Sequence, residues 1–258
     1  MPESSRLHWS TISVDGHACE LFEPSPRRVA GRAIIYLHDL DEGPLQQSTG
    51  IRDLFEAAGL PLIAPRAGRS WWLDRIVPAF DRGVTPERFV VDGVRTEIDR
   101  RFGVQNPGIA VIGTGMGGQG ALRIAYRHPT IFPVAGAIAP SIDFHLAMRD
   151  ADSREDGGLF ETLWETYGDV ERGRQDTAIL HVHPLNWPRH QCFAADPADL
   201  RWHDGAARLH GKLVALGIPH VAWLEGRGGN GPAFRDAAAG DVLRFVLEAL
   251  DREALRIA

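Results

Sequence analysis

Cysteine is nearly absent from this chain of 258 residues, which has two, Cys19 and Cys192. They are too few and too far apart to frame a disulfide-stapled domain or a zinc motif. There is no excess of positive charge: the formal net charge is −6, which argues against the basic footprint of a nucleic-acid binder. No apolar run approaches the length that crosses a bilayer. The opening residues, Met1-Pro-Glu-Ser-Ser-Arg-Leu-His-Trp-Ser, lack the basic and apolar stretches of a secretory signal. The expectation is a cytoplasmic protein that engages neither nucleic acid nor membrane.

What is present suits one large domain with a sizeable core, since 44% of residues are apolar and 24% charged. The seven tryptophans are more than such a chain needs, and several fall in loops. Residues 7–23 alternate as two antiparallel strands around Asp15-Gly16. Strands are expected at 32–37, 60–65, 108–113, 132–139, 190–194 and 220–224. Helices are expected at about 45–58, ending at Gly59, and from Pro86, capped by Thr85, to about Arg101. Others are expected at 117–127, 199–216 and 234–255. Leu200, Leu209, Leu213 and Leu216 would face inward on one of these, and Val242, Phe245, Val246, Ala249 and Leu250 on the last. Residues 66–84 read as an aromatic-rich loop, and about 141–180 as a helical and loop insertion over the sheet. The alternation predicts an α/β fold in a single domain over 1–258, with a mostly parallel sheet covered on both faces.

The stretch Ile109–Ala125 is an apolar strand, a glycine-rich turn and a helix, the setting of a nucleophile elbow, G-x-S-x-G. Here it reads Gly113-Thr114-Gly115-Met116-Gly117. The flanking glycines are present and the serine is missing. Glycine at the apex cannot attack a carbonyl.

Gly113-Thr-Gly-Met-Gly-Gly-Gln-Gly-Ala-Leu122 resembles the G-x-S-M-G-G-x-G-A-L elbow of the esterase D and S-formylglutathione hydrolase-like esterases, within the α/β-hydrolase superfamily. Further segments agree in order over roughly residues 30–250. Tyr36-Leu-His38 resembles the Y-L-H-G oxyanion loop, and Tyr126-Arg-His-Pro129 the end of the helix after the nucleophile. Asp196-Pro-Ala-Asp199 resembles the loop carrying the acid, and Leu216-Gly-Ile-Pro-His220 the approach to the histidine loop.

The resemblance implies an α/β-hydrolase fold. It places the nucleophile at Gly115, the histidine at Asn230 within Gly228-Gly229-Asn230-Gly231-Pro232, and the acid at Asp196. An amide takes no proton at neutral pH, so Asn230 cannot serve as the base. The glycine of the oxyanion loop is replaced by Asp39, with Asp41 and Glu42 behind it, and carboxylates there would oppose a developing negative charge. The implied oxyanion donors are the N–H groups of Met116 and of the loop near Asp39 and Leu40. His38 is an implied pocket residue; Trp71 and Trp72, in Ser70-Trp71-Trp72-Leu73-Asp74-Arg75, which resembles the segment flanking the cleft, either line a ligand pocket or an interface or pack as ordinary loop residues.

Other residues carry competing readings. Thr114 is either a displaced nucleophile or a packing residue, with packing preferred. Asp196 is a retained acid or a structural loop carboxylate. His181 and His183 would share one face of a strand near His190, although no carboxylate or cysteine completes a metal set at a convincing spacing. Arg75 is a carboxylate binder or an ion-pair partner of Asp74 and Glu87. An engineered change would explain Gly115 alone, whereas joint natural loss explains Gly115 and Asn230 together.

Two functions follow. One is a noncatalytic esterase homologue that uses its pocket for binding, for regulation, or for pairing with an active paralogue or a second copy of itself. The other is a hydrolase or lyase of altered mechanism acting on a small ester or related carbonyl compound. Neither calls for a cofactor or metal.

Overall fold

In the computed structural model, which describes residues 6–27, 29–40, 43–150, 158–225 and 231–257, the chain opens with a hairpin. Strands β1 (Arg6–Val14) and β2 (His17–Ser25) pair antiparallel. Their two-residue turn has positive φ at both positions, 48° at Asp15 and 87° at Gly16, the geometry that follows the twist of the flanking strands. β2 passes antiparallel to β4 (Leu62–Pro65), and from there the sheet is parallel. β3 (Ala33–Leu37), β5 (Ile109–Thr114), β6 (Val134–Ile138), β7 (His190–Ala194) and β8 (Val221–Trp223) complete it. The order is β1-β2-β4-β3-β5-β6-β7-β8. Every residue of β3, β5 and β6 is buried, which is why these strands read as continuous apolar runs rather than alternating ones.

Successive strand residues feed opposite cores. Ile35, Leu37 and Val111 pack with Trp71, Trp72, Phe89 and Phe144 on one side. Ile34, Tyr36 and Ile112 pack with Phe55, Val242 and Val246 on the other. Helix α1 (Thr49–Ala58) follows a short 3₁₀ turn and closes at Gly59, φ 63°. The Thr85 side chain caps α2 (Pro86–Arg88) by accepting from the Arg88 N–H at 3.1 Å. A π-helical stretch, Phe89–Val94, then leads into α3 (Arg95–Phe102). α4 (Met116–Arg127) is buried along nearly its whole length.

Between β6 and β7 lie α5 (Phe144–Asp150), α6 (Glu161–Tyr167), α7 (Val170–Arg174) and a 3₁₀ turn at Ala178–His181. This is the helical segment expected at 141–180, of which 151–157 lie outside the described residues. α8 (His203–Ala215) and α9 (Pro232–Ile257) complete the helices of the described chain. α8 begins later than the sequence pattern suggests. Leu200 therefore sits in the turn before it, 89% exposed, and Leu216 just past its end is 39% exposed, while Leu209 and Leu213 are buried. In α9, Val242, Val246, Ala249 and Leu250 are buried and Phe245 packs at the edge of the same core. Among the described residues, no helix is long and apolar enough to cross a membrane.

Candidate functional site

The site is built at the carboxyl ends of β3, β5 and β7. β5 runs into Gly115, whose φ of 54° and ψ of −115° lie in a region that strains a side chain and suits glycine. The turn is fixed from both sides. The Gly115 N–H donates to Ile138 O at 2.9 Å, and its carbonyl accepts from the N–H groups of Gln119 and Ser141, each at 3.0 Å. Its next helical neighbour, Met116, opens α4 and presents its N–H toward the loop after β3.

β3 and β5 are parallel neighbours, with Leu37 opposite Gly113, so His38, Asp39 and Leu40 emerge beside the elbow. The Asp39 Oδ1 accepts from the Met116 N–H at 2.9 Å and from the Leu40 N–H at 2.8 Å. These are the donors that the resemblance assigns to an oxyanion. The Arg235 Nη1 lies 3.8 Å from Asp39 Oδ2. A β-carbon placed on Gly115 would stand 2.1 Å from Oδ1 and 2.2 Å from Cγ and Oδ2. The carboxylate thus occupies the volume of an apex side chain. The sequence suggested a charge that would repel an oxyanion nearby; the carboxylate instead takes the oxyanion's place.

His38 faces away from this chemistry. Its Nε2 accepts from the Ala67 N–H at 3.0 Å, which leaves Nδ1 to donate to the Asp39 carbonyl at 2.7 Å. Burial lowers its pKa to about 4, so the ring is neutral and structural. Trp71 and Trp72, expected as pocket residues, are both fully buried with φ of 56° and 54°. The Trp72 indole N–H donates to His38 O at 3.2 Å, and the Trp71 N–H approaches Met116 Sδ at 3.1 Å. They brace the elbow from behind. The indole on the cavity wall is that of Trp202, whose ring centroid lies 6.5 Å from that of Trp71.

The cavity above the elbow has a volume of about 700 Å³. Asp39, Leu40 and Gly115 form its floor, Asp196, Asp199 and Trp202 come from the segment after β7, and Phe234 and Arg235 come from α9. Asp196 is buried, and main-chain donors hold it: Oδ1 accepts from the Ala198 N–H at 2.9 Å and Oδ2 from the Gly231 N–H at 3.1 Å. Asn230, with Gly228 and Gly229, lies outside the described residues, as do Asp41 and Glu42. No histidine among the described residues lines the cavity. His203, close in sequence to Trp202, points instead to Leu224 O at 3.1 Å. Trp202 and Arg235 escaped sequence reading, although each follows closely on a segment matching the acid or histidine loop.

The remaining candidates scatter. The Thr114 hydroxyl pairs with Tyr36 OH at 2.9 Å inside the core, a packing role. His181 ends a 3₁₀ turn rather than lying in a strand, and its Nε2 meets Asp176 Oδ1 at 3.1 Å. His183 Nδ1 accepts from the Leu185 N–H at 3.1 Å, while His190 Nε2 meets Glu253 Oε1 at 3.0 Å. Among the described residues, no three histidine, cysteine or acidic side chains gather as a metal set. Arg75 pairs with neither Asp74 nor Glu87 but sits 3.7 Å from Asp176. Glu87 and Asp176 are taken by Arg123, a fully buried guanidinium on α4.

Comparison with known proteins agrees with this architecture. A family model described as "Putative esterase" matches residues 43–223, and the chain belongs to that family. No curated protein matches it in sequence. Among solved structures, an S-formylglutathione hydrolase from Agrobacterium tumefaciens superposes with a TM-score of 0.72 at 17% identity, covering 96% of this chain and 98% of that one. An S-formylglutathione hydrolase from Staphylococcus aureus gives 0.67 at 15% identity, covering 95% and 100%. The fluorophosphonate-binding serine hydrolase F of the same organism gives 0.68 at 14% identity, covering 95% and 99%. At these identities the likeness is one of fold, and the fold is that of the α/β-hydrolases.

Proposed function

We propose that this protein is a noncatalytic esterase homologue whose cavity above Gly115 binds a small molecule, in a binding, regulatory or partner-pairing role beside an active paralogue or a second copy of itself. The carrying observation is Gly115 at the apex of an otherwise intact strand–turn–helix elbow. The turn, the flanking cavity and the acid position are kept, while the apex has no atom that can attack. Asp196 adds support, since its oxygens serve main-chain N–H groups of its own loop and of Gly231. Losing either the nucleophile or the base already removes about as much rate as losing a whole triad. Two buried free thiols, Cys19 and Cys192, suit a reducing cytoplasmic setting.

Hydrolysis of a short-chain p-nitrophenyl ester tests the reading. The expected result is no turnover above background in the wild type and no change in Asp196→Ala. Clear wild-type turnover that Asp196→Ala abolishes would overturn it in favour of a hydrolase or lyase of altered mechanism.

A further inference from the structure

We infer that the N–H groups of Met116 and Leu40 form a carboxylate-binding site whose resident ligand is the chain's own Asp39, tethered so that it closes the site to any carbonyl oxygen entering the cavity. The inference goes beyond the missing nucleophile, because it concerns the main-chain donors beside the apex rather than the apex side chain.

Three features carry it. The two donors converge on one oxygen, Oδ1, at 2.9 and 2.8 Å, lengths of charge-assisted hydrogen bonds. One donor is the first N–H of α4, a helix of 12 residues, whose amino end favours an anion. The anion is observed in place rather than inferred from the helix end. Second, seating depends on Gly115, since a β-carbon there would lie 2.1 Å from the same oxygen. Third, the Arg235 guanidinium, 3.8 Å from Oδ2, offsets the charge brought to the cavity floor.

An ester carbonyl needs both donors at the point where Oδ1 now sits, and two oxygens cannot share it. A ligand fixed by its own main chain also acts at an effective concentration of millimolar or above. Free anions and weak carbonyl acceptors therefore compete poorly against it. The cavity is left to ligands that bind against Trp202, Phe234 and the walls without using the elbow donors.

Truncating Asp39 should convert the tethered site into an open one for small carboxylates. The probes are formate and acetate, compared with chloride at equal ionic strength, on the wild type, Asp39→Gly and Asp39→Ala. The readout is the NMR shift and hydrogen exchange of the Met116 and Leu40 amides. In the wild type both amides should exchange slowly and ignore either carboxylate. In the variants exchange should quicken by about tenfold, and formate or acetate should slow it again saturably. Folded variants that show no carboxylate response would overturn the inference. So would wild-type amides that exchange freely or shift with acetate, a measurement that needs no variant to fold. Ester turnover by the wild type would instead strike at the noncatalytic reading, in a separate assay.

Discussion

The Asp39 carboxylate lies where a β-carbon of Gly115 would stand, 2.1 Å from that point at its nearest oxygen. Residues 76 positions apart in the chain thus share one small volume, and neither can change without the other feeling it.

Gly115→Ser should therefore destabilise the protein by more than the strain of a positive φ. Strain contributes about 1 kcal/mol, and displacing Asp39 forfeits two hydrogen bonds at roughly 1 kcal/mol each. A loss of about 2–3 kcal/mol in urea unfolding is expected. In the background of Asp39→Gly the same substitution should cost about 1 kcal/mol, and the difference is the coupling between the two sites. Additive effects would show that the carboxylate does not sit over the elbow.

The triple variant Gly115→Ser/Asn230→His/Asp39→Gly should hydrolyse a short p-nitrophenyl ester faster than the double variant that keeps Asp39. Removing one oxyanion donor from a working hole costs about 10²–10³ in rate, so a carboxylate pushed aside by the new side chain but still beside both donors should hold the double variant back by about that factor. Equal rates would mean that the donors are not what limits the engineered site.

Arg123 anchors α4 through Glu87 and Asp176, all three of them buried. Arg123→Met would leave Glu87 only Arg127 and His128, and Asp176 only His181 and Arg75, all nearer solvent, and should cost about 3 kcal/mol. Burial alone would raise the pKa of Asp176, but the His181 hydrogen bond, the Arg123 charge and the Tyr167 hydroxyl outweigh it and hold the carboxyl well below the usual range. Its contribution is present above about pH 4 and lost as pH falls further. Asp176→Asn should flatten that acid limb of the stability profile.

His38 shifts in the same direction by a different route. Unfolded, it takes a proton near pH 6.5; folded, burial delays this to about 4. Unfolding therefore binds a proton between those values. The stabilisation is complete above about pH 6.5 and falls on the way to about 4, by on the order of 3 kcal/mol. His145 and His190, also lowered mainly by burial, add to the trend. An NMR titration in which His38 protonates near pH 6.5 would refute the buried neutral ring.

Gly120→Ala tests the wall behind the elbow. In an exposed helix the change gains up to about 1 kcal/mol. Here the new β-carbon would meet Trp72 Cβ at 2.6 Å, so the sign should reverse to a loss of about 1–3 kcal/mol.

Local patterns made the fold legible. The hairpin at Asp15-Gly16, the Thr85 cap and the elbow each announce themselves within a few residues. The sheet follows because its strands are short apolar runs between helical stretches. What the sequence hid depends on contacts across the chain. Asp39 was visible as a residue out of place, yet only the pairing of β3 with β5 brings its side chain onto the Met116 N–H. Trp71 and Trp72 looked like cavity residues because aromatic loops often line pockets. Their positive φ angles turn them under the elbow, and Trp202, in the turn preceding α8, takes the wall. Leu200 matched the helical spacing but precedes the first turn of α8, so nothing packs on it.

The shared volume over the elbow also sets the order in which this site could ever change. A serine arriving first collides with the seated carboxylate. A glycine at position 39 arriving first leaves two main-chain donors without their acceptor and gains no nucleophile. Whichever step comes first lowers stability before it yields anything. The two positions act as a latch, and any route to serine chemistry must cross a less stable intermediate.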